Sequence, residues 1–186
     1  MKKKEIIAIL ETHGWSCGKD EVGDRYCTLK VDGKEVHILP SADKRSDHFI
    51  VCFMSSVSTG EFSEAASFIF GEARTHQPII VDFASPDEKL VSVSADDILR
   101  VAEKAISWAC SQDIEAGLAA FRSVLPVDAK GTMPINHLAA LAIAGEIERL
   151  EGYKRSFDKG DRLGFVPYIT ADMIDRAIMI AKKHGT

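Results

Sequence analysis

Asp32-Gly33 lies between residues 25–31, in which two sets of side chains alternate along the chain, and residues 34–39, which are predicted to form the returning strand. Alternation of this kind is typical of a β-strand with one buried face. A two-residue Asp-Gly connection favours a type I′ turn, because both central residues of that turn need positive φ. The sequence therefore predicts an antiparallel hairpin here, and Pro40 is expected to end its second strand.

Further elements are predicted on both sides of this hairpin. Helices are expected where apolar residues recur at helical spacing, and strands where short apolar runs are bounded by turn formers. The helices cover residues 3–13 and 61–73, the strands cover residues 48–57, 78–83 and 90–93, and a polar loop covers residues 41–47. The helix over residues 61–73 is expected to bury Phe62, Ala65, Ala66, Ile69 and Phe70. The predicted fold is α+β, an antiparallel sheet with packed helices in the order α-β-β-β-α-β-β-α.

The rest of the chain predicts helices alone. Ser94 with Asp97 forms a capping pair before a helix that ends near Ser111, and Thr170 is expected to cap the last helix. Further helices are predicted over residues 114–124 and 136–157, the second interrupted at Gly145. We expect residues 1–112 to form the α+β domain and residues 113–186 to form a helical region packed on it as one unit.

Composition and charge narrow the class of function. The 186 residues are 46% hydrophobic and 27% charged, with a formal net charge of −5, which is typical of a globular protein. Binding to nucleic acid is not expected, because it needs clustered Lys and Arg. No apolar run approaches the roughly 20 residues of a membrane-spanning helix. The first residues do not resemble a signal peptide, so we expect a cytoplasmic protein.

The cysteines are widely scattered, at Cys17, Cys27, Cys52 and Cys110, with no C-x-x-C pair. Metal sites usually draw their ligands in close pairs, so the sequence predicts no metal site and no cofactor. In a reducing compartment we expect four free thiols.

The element order over residues 3–111 resembles that of type III secretion chaperones. The resemblance implies a small protein-binding module whose sheet and first helix hold an extended segment of a protein partner. It also implies that the helix after the sheet can form a homodimer. The stretch HLAAL from residue 137, followed by GDRLGFVPYI from residue 160, is similar to uncharacterised bacterial families.

Two groups of apolar residues are candidate partner-binding positions. Leu163, Phe165 and Tyr168 lie in the GDRLGFVPYI segment, which either packs on the core or contacts a partner. Leu99 and Trp108 lie away from the best buried stripe of the helix that ends near Ser111. We expect these two to be covered by the C-terminal helices or by a second subunit.

An enzymatic alternative depends on ionisable side chains. The candidate site is formed by His37, His48 and Asp82, and a metal-binding version of it groups His37 and His48 with Asp43 and Asp47. The chain lacks the G-x-S-x-G, G-x-x-x-x-G-K-[ST], G-x-G-x-x-G and H-E-x-x-H motifs. The sequence therefore favours a chaperone-like protein-binding module over an enzyme. An immunity-type or structural interaction protein is a third alternative.

Overall fold

The computed structural model describes residues 1–20 and 23–185. Its contacts divide the chain into two compact units. Unit 1 comprises Met1–Thr59 and Pro78–Gln112, and unit 2 comprises Gly60–Gln77 and Asp113–Thr186. The chain thus leaves unit 1 for residues 60–77 and returns to it before the C-terminal helices. The sequence instead predicts that residues 60–77 belong to the α+β domain of residues 1–112.

The described residues form six strands and seven helices, which confirms the α+β class. In chain order the elements are α1 (Lys3–Thr12), β1 (Ser16–Lys19), β2 (Arg25–Val31), β3 (Lys34–Lys44), β4 (Phe49–Thr59), α2 (Gly60–Phe70), β5 (Ile80–Val81), β6 (Glu88–Leu90), α3 (Ala95–Ser111), α4 (Ile114–Ser123), α5 (Met133–Ile143), α6 (Ile147–Asp158) and α7 (Ala171–His184). The expected order is present from α1 to α3, and β1 is one further strand.

Unit 1 is an antiparallel sheet with α1 and α3 packed against it. The strands follow the order β1-β2-β3-β4-β5, and β6 also pairs with β4. Both helices contact β3 and each other, so they lie on the same face of the sheet. The Lys34 ammonium donates hydrogen bonds to the carbonyl oxygens of Ala109, Cys110 and Gln112 at 3.1, 2.7 and 2.8 Å. These bonds satisfy carbonyls that the end of α3 leaves without a partner inside the helix.

The predicted hairpin is present between β2 and β3. Asp32 and Gly33 have φ values of 50° and 76°, and Val31 pairs with Lys34, so two residues connect the strands. Positive φ at both central residues is the property from which the type I′ turn was predicted.

The predicted end of β3 at Pro40 is wrong. Pro40 pairs with Phe53 and the strand continues to Lys44, through most of the loop expected over residues 41–47. Pairing with β2 ends at Ile38, so Pro40 has a strand partner on the β4 side only. Proline is tolerated there because its missing N–H can face the unpaired side of the strand.

The expectation of four free thiols is also wrong. β1 pairs with β2 so that Cys17 lies opposite Cys27, and the two form a disulfide with their Cα atoms 4.0 Å apart. The four residues of β1 are too few for an alternation pattern to identify, so the sequence did not place these cysteines together. Cys52 and Cys110 are free. Disulfides persist mainly in oxidising compartments, so the cytoplasmic location stays a prediction.

Unit 2 is a helical bundle around α5. Every residue from Pro134 to Ala142 is buried, and α5 contacts α2, α4, α6 and α7. Gly145, at φ 69°, separates α5 from α6 where the sequence predicted an interruption. The Thr170 hydroxyl accepts a hydrogen bond from the Met173 N–H, which confirms the predicted cap of α7. None of the described helices is long and apolar enough to cross a membrane.

We expect protein purified in air without reductant to show two reactive thiols in denaturant and four after full reduction. A Cys52→Ser, Cys110→Ser double variant is the matched control, and it should show none before reduction and two after. Peptide mapping should recover Cys17 and Cys27 in one disulfide-linked product. Four thiols in the unreduced wild-type protein would contradict the pairing.

Candidate functional site

The loop of residues 160–169 connects α6 to α7 by an irregular path. Its backbone has positive φ at Gly160, Leu163 and Gly164, with values of 82°, 54° and 83°. Residues with side chains seldom adopt this conformation, so the two glycines favour the path. Leu163 is half-buried, and its N–H donates to Asp161 Oδ1 at 2.9 Å.

Phe165 holds this loop in the core of unit 2. Its side chain is only 4% exposed, and its ring lies 5.3 Å from that of Tyr153, 5.8 Å from that of Phe157 and 6.4 Å from that of His137. The first two pairs meet edge to face, the geometry that aromatic quadrupoles favour. Ile169 is fully buried at the end of the loop. The loop is therefore fixed by two buried side chains.

Arg162 satisfies the backbone of the same loop. Its Nη2 donates to the carbonyl oxygens of Val166, Pro167 and Ile169 at 2.9, 3.1 and 2.7 Å. Its guanidinium lies 5.1 Å from the centre of the Phe157 ring, within range of a cation–π interaction. One side chain thus replaces the hydrogen bonds that a helix or sheet would supply.

Tyr153, the ring nearest to Phe165, is held by a buried polar chain. His137 Nδ1 lies 2.8 Å from the Phe121 carbonyl oxygen, which can only accept, so Nδ1 carries the proton. Nε2 then accepts from the Tyr153 hydroxyl at 3.1 Å, and Arg149 Nε donates to the same hydroxyl oxygen at 2.9 Å. Burial lowers the pKa of His137, which agrees with a neutral ring.

Tyr168, in the same loop, lies at the surface rather than in the core. It is 40% exposed, and its hydroxyl donates to the Gly131 carbonyl oxygen at 2.5 Å. Its ring meets that of Phe70 nearly at right angles, with the ring centres 6.4 Å apart. Phe70 is also 40% exposed, so the expectation that α2 buries this residue is wrong. As the last residue of α2, Phe70 lies where the helix ends rather than in its buried middle.

The segment that follows α2 is tied back onto that helix by two buried serines. The Ser67 hydroxyl accepts from the Thr75 N–H at 3.1 Å, and the Ser63 hydroxyl accepts from the Gln77 N–H at 3.2 Å. Gly71, at φ 88°, turns the chain back along the helix. Buried hydroxyls in these positions give an irregular segment a fixed path.

Between these two segments lies a cavity of about 600 Å³, which we call the Tyr168 cleft. It is lined by Ala66, Ser67, Phe70, Glu72, Thr75, Gln77, Gly131, Thr132, Ile135, Tyr168 and Met173. All of these residues belong to unit 2. The lining combines a mostly apolar wall with a few hydroxyl and amide groups and one carboxylate, a composition typical of ligand sites of this size.

The candidate catalytic histidines lie far apart. His37 lies in β3 opposite Ser56, whereas His48 lies in the turn beyond Lys44. Lys44 is seven residues further along the strand, or about 23 Å at the usual strand rise. The His37 ring stacks on that of Tyr26 with 5.2 Å between centres, and burial lowers the pKa of His37.

The Asp82 carboxylate accepts hydrogen bonds from the residues of the turn that follows it. Its Oδ1 accepts from the N–H groups of Ala84 and Ser85 at 2.9 and 3.0 Å, and its Oδ2 accepts from the Ser85 hydroxyl. His48 Nδ1 instead lies 2.7 Å from Asp47 Oδ1. In residues 1–20 and 23–185 no three His, Cys, Asp or Glu side chains are placed to hold a metal ion. The structure therefore does not bring the candidate catalytic residues together.

Leu99 and Trp108 lie on α3 in unit 1, and both are half-buried. The buried stripe of α3 consists of Ile98, Val101, Ala102, Ala105 and Ala109. The two candidates therefore flank the stripe, as the sequence predicted. Their contact with a partner stays a prediction.

Of the residues that line the Tyr168 cleft, Tyr168 itself was predicted from the sequence as a candidate binding position, and the others were not. Phe70 and Glu72 reach it from the end of α2 and the residues after it, and Met173 reaches it from α7. The sequence near Phe70 shows only an aromatic residue followed by Gly71. This pattern indicates the end of a helix and does not indicate a binding site.

We predict that Gly164→Ala destabilises the fold far more than Gly160→Ala. Both positions have nearly the same positive φ, so each change costs roughly 1–2 kcal/mol of backbone strain. A Cβ at Gly164 would also lie 2.9 Å from Val127 Cα, whereas a Cβ at Gly160 meets nothing within 4 Å. That overlap should add about 1–3 kcal/mol. Equal free energies of unfolding for the two variants in urea would contradict this packing.

A protein-family model matches residues 2–182, and its description is "Family of unknown function (DUF6990)". Neither the curated proteins nor the solved structures include a significant match. The match covers nearly the whole chain, so the chain belongs to this family.

Proposed function

We propose that this member of the DUF6990 family is a protein-binding module that holds a segment of a partner protein in the Tyr168 cleft. The observation that carries the proposal is the pair of exposed aromatic rings, Phe70 and Tyr168, beside a cavity of about 600 Å³. Exposed aromatic side chains grouped at a concave surface are typical of binding sites.

The way the cleft is built supports the same proposal. Phe165 and Arg162 fix one segment that lines it, and the hydroxyls of Ser63 and Ser67 fix another. A site whose walls are already ordered loses less conformational entropy on binding. Such a site can hold a partner segment without refolding.

The chaperone-like part of the proposal rests on unit 1 and on element order alone. The order from α1 to α3 agrees with the resemblance, apart from the additional β1. Homodimerisation through Leu99 and Trp108 of α3 belongs to the same proposal. Sedimentation equilibrium of the wild-type protein and of a Leu99→Glu variant tests it, since a dimer should dissociate in the variant.

The cleft is tested by replacing Tyr168 with the photoreactive residue p-benzoylphenylalanine in the full-length chain. We expect irradiation in cell extract to give a specific cross-linked protein, because the ring lies beside the bound segment. Cross-linking should be lost in a second protein that also carries Thr132→Trp. Thr132 is exposed and its side chain makes no capping bond, so the larger ring should fill the cleft without disturbing α5.

The matched control carries the photoreactive residue at Val91, which is exposed in unit 1. Thermal melts should show that all variants fold. Cross-linking at position 168 that is no stronger than at position 91, or that persists with Thr132→Trp, would contradict binding in the cleft.

A further inference from the structure

The charge of the Tyr168 cleft comes from Glu72. Within the part of the chain that the structure describes, Glu72 takes part in no ion pair. The two acidic residues of α2 do have basic partners. Glu61 Oε1 lies 3.6 Å from His184 Nδ1, and Glu64 Oε1 lies 3.6 Å from Arg74 Nε. Glu72 is therefore a carboxylate at the cleft that has no ion-pair partner in the described part of the chain.

Arg176 is a cation that lies close to the carboxyl end of α2. Its Nη1 lies 2.7 Å from where a Cβ on Gly71 would be, so the guanidinium lies beside the residue that directly follows α2. The last carbonyls of a helix carry partial negative charge, which favours a cation there. Among the described residues Arg176 forms no ion pair with Glu72, and its buried Nε has no hydrogen-bond partner.

The rings beside Glu72 suit a cation as well. Phe70 and Tyr168 meet edge to face, so each ring keeps at least one face that the other does not cover. An aromatic face attracts an ammonium or guanidinium group within about 6 Å. Ile135 and Met173 line the same cleft and would cover the methylene groups that carry such a head.

From this arrangement we infer that the partner segment inserts a lysine or arginine side chain into the Tyr168 cleft. Its charged head meets the Glu72 carboxylate and an aromatic face, and its methylene groups lie against Ile135 and Met173. The inference rests on the proposed function and specifies the partner chemically, as an extended protein segment with a basic residue among apolar ones.

A protein segment suits the cleft better than a free amine. The volume of about 600 Å³ falls in the range that holds drug-sized ligands and exceeds the need of one side chain. Thr132 presents a hydroxyl that makes no capping bond and can bind a backbone amide of the segment. The net charge of −5 also favours the approach of a basic segment.

The test is selection of displayed random heptapeptides on the full-length protein, in parallel on wild type, Glu72→Gln, Glu11→Gln and Thr132→Trp. Glu72→Gln keeps the shape of the side chain and removes its charge. Glu11→Gln makes the same change at an exposed position of α1 and serves as the matched control. We expect wild type and Glu11→Gln to enrich one position in Lys or Arg, and Glu72→Gln to lose that enrichment.

The selected peptides are then measured individually. We expect Glu72→Gln to weaken binding of a selected peptide by about three- to fivefold, in the range for an exposed ion pair. Replacing the selected Lys by norleucine should weaken binding to wild type by at least as large a factor, because it removes the aromatic contact as well as the ion pair. Binding to Glu72→Gln should distinguish Lys from norleucine less than wild type does, because the ion pair is gone and only the aromatic contact remains.

Each other outcome overturns a different claim. Peptides that lack Lys and Arg but are blocked by Thr132→Trp would overturn the inference and leave the proposed function intact. Failure to select any peptide that Thr132→Trp blocks would overturn both. Nα-acetyl-lysine methylamide that binds as tightly as the selected peptides would make the cleft a site for small amines and overturn the protein partner.

Discussion

The burial of Phe165 determines the path of the loop of residues 160–169, and the Tyr168 cleft depends on that path. The ring fills a space between Tyr153, Phe157 and His137, where full burial of an aromatic side chain contributes about 1.5–3 kcal/mol. Three residues later the same loop presents Tyr168 to the cleft. Core packing thus holds for Phe165, whereas partner contact through Tyr168 stays a proposal.

Hydrogen bonds of polar side chains also hold the two segments that line the cleft. An irregular segment leaves backbone groups without the partners that helices and sheets supply, and each such group is costly when buried. Arg162 satisfies three carbonyls of one segment, and Ser63 and Ser67 each accept one N–H of the other. Contacts within the chain therefore order both segments, which is the property that the proposed binding site needs.

Local chemistry explains which parts of this structure could be predicted from the sequence. The hairpin at Asp32-Gly33 could be predicted because its turn needs residues that tolerate positive φ. The path of β3 through Pro40 could not, since it depends on where a neighbouring strand stops pairing. The site divides in the same way. Tyr168 stands out in an aromatic loop, whereas Glu72 becomes significant only when three distant segments meet.

Hydrogen exchange of the Thr75 and Gln77 amides in the free protein tests the central claim most directly. These two N–H groups are bound by the buried hydroxyls that fix one wall of the cleft. A cleft that is ordered before binding predicts exchange much slower than that of an unstructured peptide at both sites, with the Thr75 amide losing protection in Ser67→Ala. Exchange of both amides at the unstructured rate in the wild-type protein would contradict the account.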